Sequence, residues 1–194
     1  LLGEVERAAA AAGGWEAVGR IAVGLGPGSF TGLRVGIATA RGLGLSRGIP
    51  VGGAGTLDAL ARGLGESAGE RDRLAVTDAR RGEVFAALHS AGGERRWGPL
   101  VSSPEDLTER IAGLRQAVVC VGSGAVRFRQ QLQLASRGVE IPDDADPVHR
   151  VAARHVCALA TAAGEDDSGL GAPIYLRAPD AERWRERGTV QKPE

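Results

Sequence analysis

The stretch GLGPGSFTGLRVG, Gly24 to Gly36, packs five glycines into thirteen residues and runs straight into a segment with helical spacing. Glycines that bare backbone N–H groups at a helix N-terminus make the usual cradle for phosphate, so a nucleotide loop is the first reading to test. The spacing fails it. A Walker loop needs four residues between its glycines and then Gly-Lys-Ser/Thr, whereas three residues separate Gly28 from Gly32 and Leu33-Arg34 follow. The dinucleotide pattern fails as well, because Thr31, counted from Gly26, or Ser29, counted from Gly24, stands where the last glycine belongs. A hydrolase nucleophile elbow is excluded too, since Pro27 and Thr31 flank Ser29 at two residues' distance where glycines are required. The glycines therefore answer to something else.

Downstream of the loop, a helix is expected from about Thr31 to Ser46. Along it Gly32, Gly36, Ala40 and Gly44 recur every four residues, a stripe almost free of side chains, with Leu33, Ile37 and Leu45 beside it as apolar knobs. Each interior glycine costs about 1 kcal/mol relative to alanine, so Gly36, Gly42 and Gly44 together cost roughly 3 kcal/mol of helix stability. Close approach of another helix could offset that, and so could packing inside the helix's own lobe; both readings stand. Upstream, Leu2, Val5, Ala9 and Ala12 repeat at helical spacing and Gly13-Gly14 supplies a stop, giving an alanine-rich first helix with an equally thin face.

The rest of the chain alternates strands and helices, which favours α/β layers. RIAVGLG and VGGAG read as short buried strands, and Thr56 as the cap of a helix TLDALARGL. GESAGERD is a polar, glycine-bearing linker that divides a first lobe, residues 1–70, from a second, 71–172, with a closing segment at 173–194. LAVTDARRGEVFAALHS reads as a hairpin turning at Ala79 to Gly82, RRWGPLVS as a further strand, and SPEDLTERIAGL as a helix capped by Ser103 with Pro104 at its first position. AVVCVGSG is a buried strand leading to a helix through about Gln133, and VHRVAARHVCALATAAG a further amphipathic helix.

Composition excludes several function classes. The 24 basic and 24 acidic residues cancel, so no whole-protein field recruits nucleic acid or an anionic membrane. The single lysine, Lys192, leaves lysine-dependent phosphate or Schiff-base chemistry almost nothing to work with. Cys120 and Cys157 are too few for a disulfide scaffold and read as two buried thiols of a cytoplasmic protein. No apolar run approaches the length of a membrane span. His149 and His155, six residues apart, would lie on different faces of a helix, with no third ligand at metal spacing, so no metal and no catalytic set is expected. Asp78 opens the hairpin where nucleotide-binding folds place a carboxylate followed by glycines, but Ala79, Arg80 and Arg81 follow it here, and their side chains stand where phosphates would approach the backbone. Glu105 and Asp106 fit the first turn of a helix without any catalysis. Arg80/Arg81, Arg95/Arg96 and Arg183, Arg185 and Arg187 could touch RNA phosphate, though such clusters are more often solvated faces. With no methionine anywhere, residue 1 is not expected to be an intact translational start.

Four blocks in order, GPGSFTGLRVG at 26–36, GIPVGGAGTL at 48–57, DARRGEVFAA at 78–87 and PIYLRAPDAE at 173–182, resemble the TsaB (YeaZ) family, the non-catalytic dimerisation subunits of the bacterial machinery that makes threonylcarbamoyladenosine in tRNA. The resemblance implies an actin-like ATPase, ribonuclease-H-like fold of two lobes that has lost nucleotide chemistry and needs no cofactor. It implies a heterodimer with the catalytic paralogue TsaD, help from the ATPase TsaE, a homodimer when alone, and tRNA met only through the complex. The first two helices would form the contact, which assigns Val5, Ala9, Gly32, Leu33, Gly36, Ile37, Ala40 and Gly44 to a partner interface. The alternative is an enzyme of the same fold, a nucleotide-binding phosphotransferase or a glycoprotease-like peptidase. The family opens with a strand and a hairpin carrying Asp-Thr or Asp-Ser, whereas this chain joins it near the middle of the first helix. On that reading the chain is N-terminally truncated and RIAVGLG is left as a sheet edge.

Overall fold

A computed structural model of the chain describes residues 1–163 and 171–176. The elements run α1 (Leu2–Ala11), β1 (Ile21–Gly26), α2 (Phe30–Arg47), β2 (Val51–Gly55), α3 (Thr56–Gly63), β3 (Asp72–Arg80), β4 (Glu83–His89), β5 (Arg95–Ser102), α4 (Pro104–Ala112), β6 (Val118–Val121), α5 (Ser123–Arg127), α6 (Arg129–Ala135), β7 (Val139–Glu140) and α7 (Ala153–Ala162). β1 and β2 form a parallel pair, and the other strands form one sheet in the order β5-β4-β3-β6-β7. In that sheet β4 runs antiparallel to both neighbours, while β3, β6 and β7 are parallel.

Alternation along the strands explains why the five-stranded sheet is buried on both faces. Leu74, Val76, Val118 and Cys120 point to one side, under α4, α5 and α6, with Leu107, Ile111 and Leu132. Ala75, Ala79, Val119 and Val121 point to the other, where Leu57, Leu60, Ala61 and Leu64 of α3 cover them. Small residues on that second face let the helix lie close. A third cluster joins α3 to the parallel pair and to α7 through Ala54, Ala59 and Val156, so α3 is the element shared by both sheets.

Several boundaries differ from the sequence expectations for identifiable reasons. Thr56 is the first helical residue of α3 and the cap is Gly55, with no side-chain bond. The segment after α3 is not a free linker: Gly65–Ala68 makes a 3₁₀ turn that sends Ala68 into the core, and β3 begins at Asp72. The helix expected through Gln133 breaks at Phe128 (φ −109°, ψ 24°) into α5 and α6. Pro147–His149 is a separate 3₁₀ turn, so α7 starts only at Ala153 and His149 lies outside it. Cys120 is buried, but Cys157 is exposed on α7.

Among the described residues β2 is the only strand paired with β1, and the chain returns to it near the end: Ile174 N–H donates to Leu25 O at 2.7 Å. The Tyr175 ring packs against Phe30 at 5.3 Å between centroids, and the Arg34 guanidinium lies over Phe30 at 3.9 Å. Residues 177–194, most of the expected closing segment and Arg183, Arg185 and Arg187 with it, lie outside the described residues.

Candidate functional site

Two places are candidates for a functional role, the face of α2 and the hairpin at Asp78. Ser29 caps α2 by accepting from Gly32 N–H at 3.3 Å, and Gly48 ends it in the left-handed region (φ 65°). Between these caps the small-residue stripe does not keep to one face. A step of four residues turns an α-helix about 400°, some 40° past a full turn, so three steps from Gly32 to Gly44 rotate the stripe by about 120°. Gly32 is accordingly exposed, Gly36 half-buried over Val23, and Ala40 and Gly44 buried. The reason for Gly44 is local, because a Cβ there would stand 2.3 Å from Val51 Cγ2 and 2.8 Å from Ile49 O as the chain turns into β2. Ile37 is likewise in the core, and Leu33 reaches back over Gly26. Of the stripe, then, only its N-terminal end is open to solvent.

A different set keeps to the outer face. Thr31, Val35, Ala38, Gly42 and Leu45 alternate steps of four and three, which holds them within about 80° of one another. All five are exposed; Val35 is 51% and Leu45 89% accessible, and both are among the large apolar side chains left in solvent. Two alanine-sized positions between two aliphatic ones make a shallow seam. At the start of α1, the capping Leu1 and Leu2 are also exposed, whereas Val5 is half-buried and Ala9 buried. Arg47 ties the helices at one end, reaching Glu6 at 3.7 Å and lying over Trp15 at 4.0 Å. The sequence reading did not group Val35, Ala38 and Gly42 with Leu45 as one face, although the alternating spacing was there to be read.

At the hairpin, Arg80 and Arg81 both adopt positive φ (65° and 55°), an uncommon conformation for side chains with a Cβ. Asp78 is occupied from within the protein. Its Oδ1 accepts from Arg80 N–H at 2.8 Å and its Oδ2 from Arg127 at 2.7 Å. Burial alone would raise its pKa, but these bonds and charges outweigh it and hold the carboxyl below its ordinary value. Behind it, Asp78 N–H donates to Ser123 Oγ at 3.1 Å. The glycines of VGSG serve close packing: a Cβ on Gly122, whose φ is 110°, would sit 2.2 Å from Val76 O, and one on Gly124 2.8 Å from Val76 Cγ1. The loop thus lies directly on β3, with Arg127 across the hairpin's carboxylate.

His149 accepts from Gly122 N–H through Nδ1 at 3.0 Å and donates from Nε2 to Pro142 O at 3.2 Å, so it braces this loop. Among the described residues no three His, Cys, Asp or Glu side chains gather as metal ligands. Arg95 and Arg96, read from the sequence as a solvated face rather than an RNA contact, are paired with Asp58 and Asp72 at 2.5 and 2.9 Å. No described helix is long and apolar enough to cross a membrane.

A family model described as TsaD, tRNA N6-adenosine threonylcarbamoyltransferase, matches residues 1–143. Escherichia coli TsaB, described as a tRNA threonylcarbamoyladenosine biosynthesis protein, is 39% identical over 111 residues, 55% of this chain and 48% of that protein. An uncharacterised protein of Mycobacterium bovis is 38% identical over 161 residues, 83% of this chain and 65% of that protein. The chain therefore spans between about half and two thirds of the length of these two relatives. A crystal structure from Pseudomonas aeruginosa, described as similar to peptidase YeaZ, superposes with a TM-score of 0.70 at 28% identity, covering 91% of this chain and 82% of that one.

Proposed function

The chain belongs to the TsaD family and is similar to its TsaB (YeaZ) members, with their actin-like, ribonuclease-H-like fold, and from that premise we propose that it is a catalytically silent subunit for threonylcarbamoyladenosine formation in tRNA. Its role is to pair with TsaD and hold it in its working state, with TsaE as the ATPase of the assembly, tRNA engaged through the complex, and the cytoplasm as its place. Alone, it forms a homodimer through the same face.

The observation that carries this reading is the exposed seam of α2, Val35, Ala38, Gly42 and Leu45, which has apolar side chains in solvent and small residues between them. A helix of a partner can lie close against such a face, and 8 to 10 Å is about the usual separation that small residues allow to shrink. The proposed contact thus keeps Gly32 and Leu33 from the sequence-based set, adds the seam, and uses Ile37, Ala40 and Gly44 only to seat α2 on its own sheet. Catalytic silence is supported by the hairpin, where Arg127 and the Arg80 N–H hold Asp78.

The test is reconstitution. Purified TsaD, TsaE, tRNA, ATP and the threonylcarbamoyl donor are assayed for modified adenosine with and without this chain. The modification is expected only when the chain and TsaD are both present. Modification, phosphotransfer or peptide cleavage by the chain alone would return the reading to the enzyme of the same fold, and no gain over TsaD alone would remove the scaffold role.

A further inference from the structure

The β3–β4–β5 register lines up three basic side chains in one row. Arg73 on β3 is directly opposite His89 on β4, and His89 is opposite Arg95 on β5. Opposed residues of antiparallel strands project from the same face with their Cβ atoms about 5 Å apart. That face is the one covered by α3, since the neighbours Ala75, Phe85 and Ala87 pack there against Leu57 and Leu60. From above, α3 brings Asp58 and Arg62, one helical turn apart on a single side. Together with the edge of β2 and the Gly92-Gly93 turn they enclose a cavity of about 480 Å³, within the range of small-molecule sites.

Charge within the cavity is uneven. Asp58 takes care of one end: its Oδ1 accepts from His89 Nε2 at 2.7 Å and from Arg95 Nε at 3.0 Å, and its Oδ2 from Arg95 Nη2 at 2.5 Å. The other end has no such answer. Among the described residues Arg73 makes a single bond, from Nη2 to Gly65 O at 3.1 Å, and its buried Nε has no acceptor. Among the described residues no carboxylate stands within ion-pair distance of Arg73 or Arg62; Glu66, on the wall of an adjoining hollow that these two arginines share, pairs with neither. Three guanidiniums and one carboxylate therefore face one concave space, with two of the guanidiniums uncompensated.

We propose that this cavity binds a phosphate-bearing small molecule, its anionic end held by Arg62 and Arg73 and its site kept in shape by the Asp58–His89–Arg95 cluster. Arginine suits the task because its planar fork offers paired N–H donors to phosphate oxygens. Arg73 is half-buried, and the partial exclusion of water around it strengthens its contact relative to bulk water. The site is separate from the Asp78 hairpin and from the α2 seam, so it stands or falls independently of the scaffold reading.

The test is calorimetric titration of the full chain at low ionic strength with inorganic pyrophosphate and, separately, glycerol 3-phosphate, the tighter of the two identifying a free anion or an ester as the source. Saturable one-to-one binding with Kd near or below about 1 mM is expected for one of them. Arg62→Gln and Arg73→Gln should each weaken it at least about fivefold, a loss in line with removing one charge-assisted contact. Arg41→Gln, an exposed arginine on α2 away from the cavity, should leave it unchanged. Arg62 is exposed, so its variant keeps the fold even if the Arg73 variant does not. The proposal is overturned if the wild type shows no saturable binding, or if Arg41→Gln weakens binding as much as Arg62→Gln does.

Discussion

Replacing Leu45 by alanine separates the outer face of α2 from its inner one. Leu45 is 89% exposed in the monomer, so the substitution removes nothing from the fold. In the proposed contact it removes three carbons, each worth about 0.8 kcal/mol when fully buried, or about 2.4 kcal/mol in all, and about 1.2 kcal/mol if the partner covers half of the side chain. At 1.4 kcal/mol per tenfold, these bounds are roughly fiftyfold and sevenfold in Kd. The neighbouring residue gives the contrast. Gly44→Ala would place a Cβ against Val51 Cγ2 and against the Ile49 carbonyl, which is backbone and cannot swing aside. Overpacking of that kind costs about 1 to 3 kcal/mol of stability, while the folded fraction should bind TsaD as before. Calorimetry with TsaD, with sedimentation equilibrium for the homodimer and circular dichroism for each variant, reads both effects. Wild-type affinity in a folded Leu45→Ala protein would refute the assignment of the seam to a partner.

Three further outcomes are expected. Gly122→Ala should lower the urea midpoint by the equivalent of about 1 to 3 kcal/mol or more, because its Cβ meets Val76 O at 2.2 Å and φ is 110°; an unchanged midpoint would mean that α5 does not lie against β3 as described. Ellman's reagent should label one thiol of the native chain rapidly, the exposed Cys157, and reach Cys120 only on unfolding, since complete burial pushes that thiol up to about 12; a Cys157→Ser protein that still reacts rapidly would contradict the core. Burial alone would raise the Asp58 pKa, but the His89 and Arg95 bonds and charges outweigh it and hold the carboxyl below its ordinary 3.8. Its contribution is therefore complete above that unfolded value and is lost as pH falls through 3.8 and then through the lower folded value. Denaturation at a series of pH values should show Asp58→Asn less stable than wild type at neutral pH, the two converging in acid; a gap that stays constant would sink the linkage.

Much of the fold could be read from the chain because its signals were local. Ser103 followed by Pro104 marked the start of α4, and Ser103 Oγ does accept from Asp106 N–H at 3.0 Å. The β3–β4 hairpin was visible in LAVTDARRGEVFAALHS, two apolar runs around a turn, and the register pairs them from Arg73 with His89 to Arg80 with Glu83, with one shift between Asp78 and Arg80. The misses arose where tertiary contact decided the outcome. Ala68 reads as a linker residue in GESAGERD, yet the core beneath α3 has room for one methyl group there and takes it. Cys157 reads as buried from its apolar neighbours, but α7 rests on β1, β2 and α3 through Val156 and Ala160 and turns Cys157 outward. The cavity row of Arg73, His89 and Arg95 was out of reach altogether, since it exists only once three strands are in register.

The α2 stripe shows why a period must be followed in angle as well as in spacing. Four-residue steps look like one face on paper, and they are one face over a single turn. Over the distance from Gly32 to Gly44 the accumulated rotation of about 120° carries the stripe from solvent to sheet. The sequence therefore held two interleaved messages in the same helix. Gly44 lets α2 settle on the turn into β2, where a Cβ would stand 2.3 Å from Val51 Cγ2, while a Cβ on Gly36 would only touch Val23 at 3.7 Å; Ile37 and Ala40 are buried beside them. Val35, Ala38, Gly42 and Leu45, on a neighbouring face with alternating steps, need no such explanation inside the monomer, where they touch solvent. Gly42 distinguishes the two sets most sharply. An added Cβ there would meet nothing within 4 Å, so the monomer gives no steric reason for the roughly 1 kcal/mol that this glycine costs the helix. Gly42→Ala should consequently stabilise the isolated chain by about that amount in urea denaturation while weakening its association with TsaD. A variant that is stabilised and binds equally well would leave Gly42 without a role at the seam and would shift the contact toward Leu45 and the exposed leucines of α1.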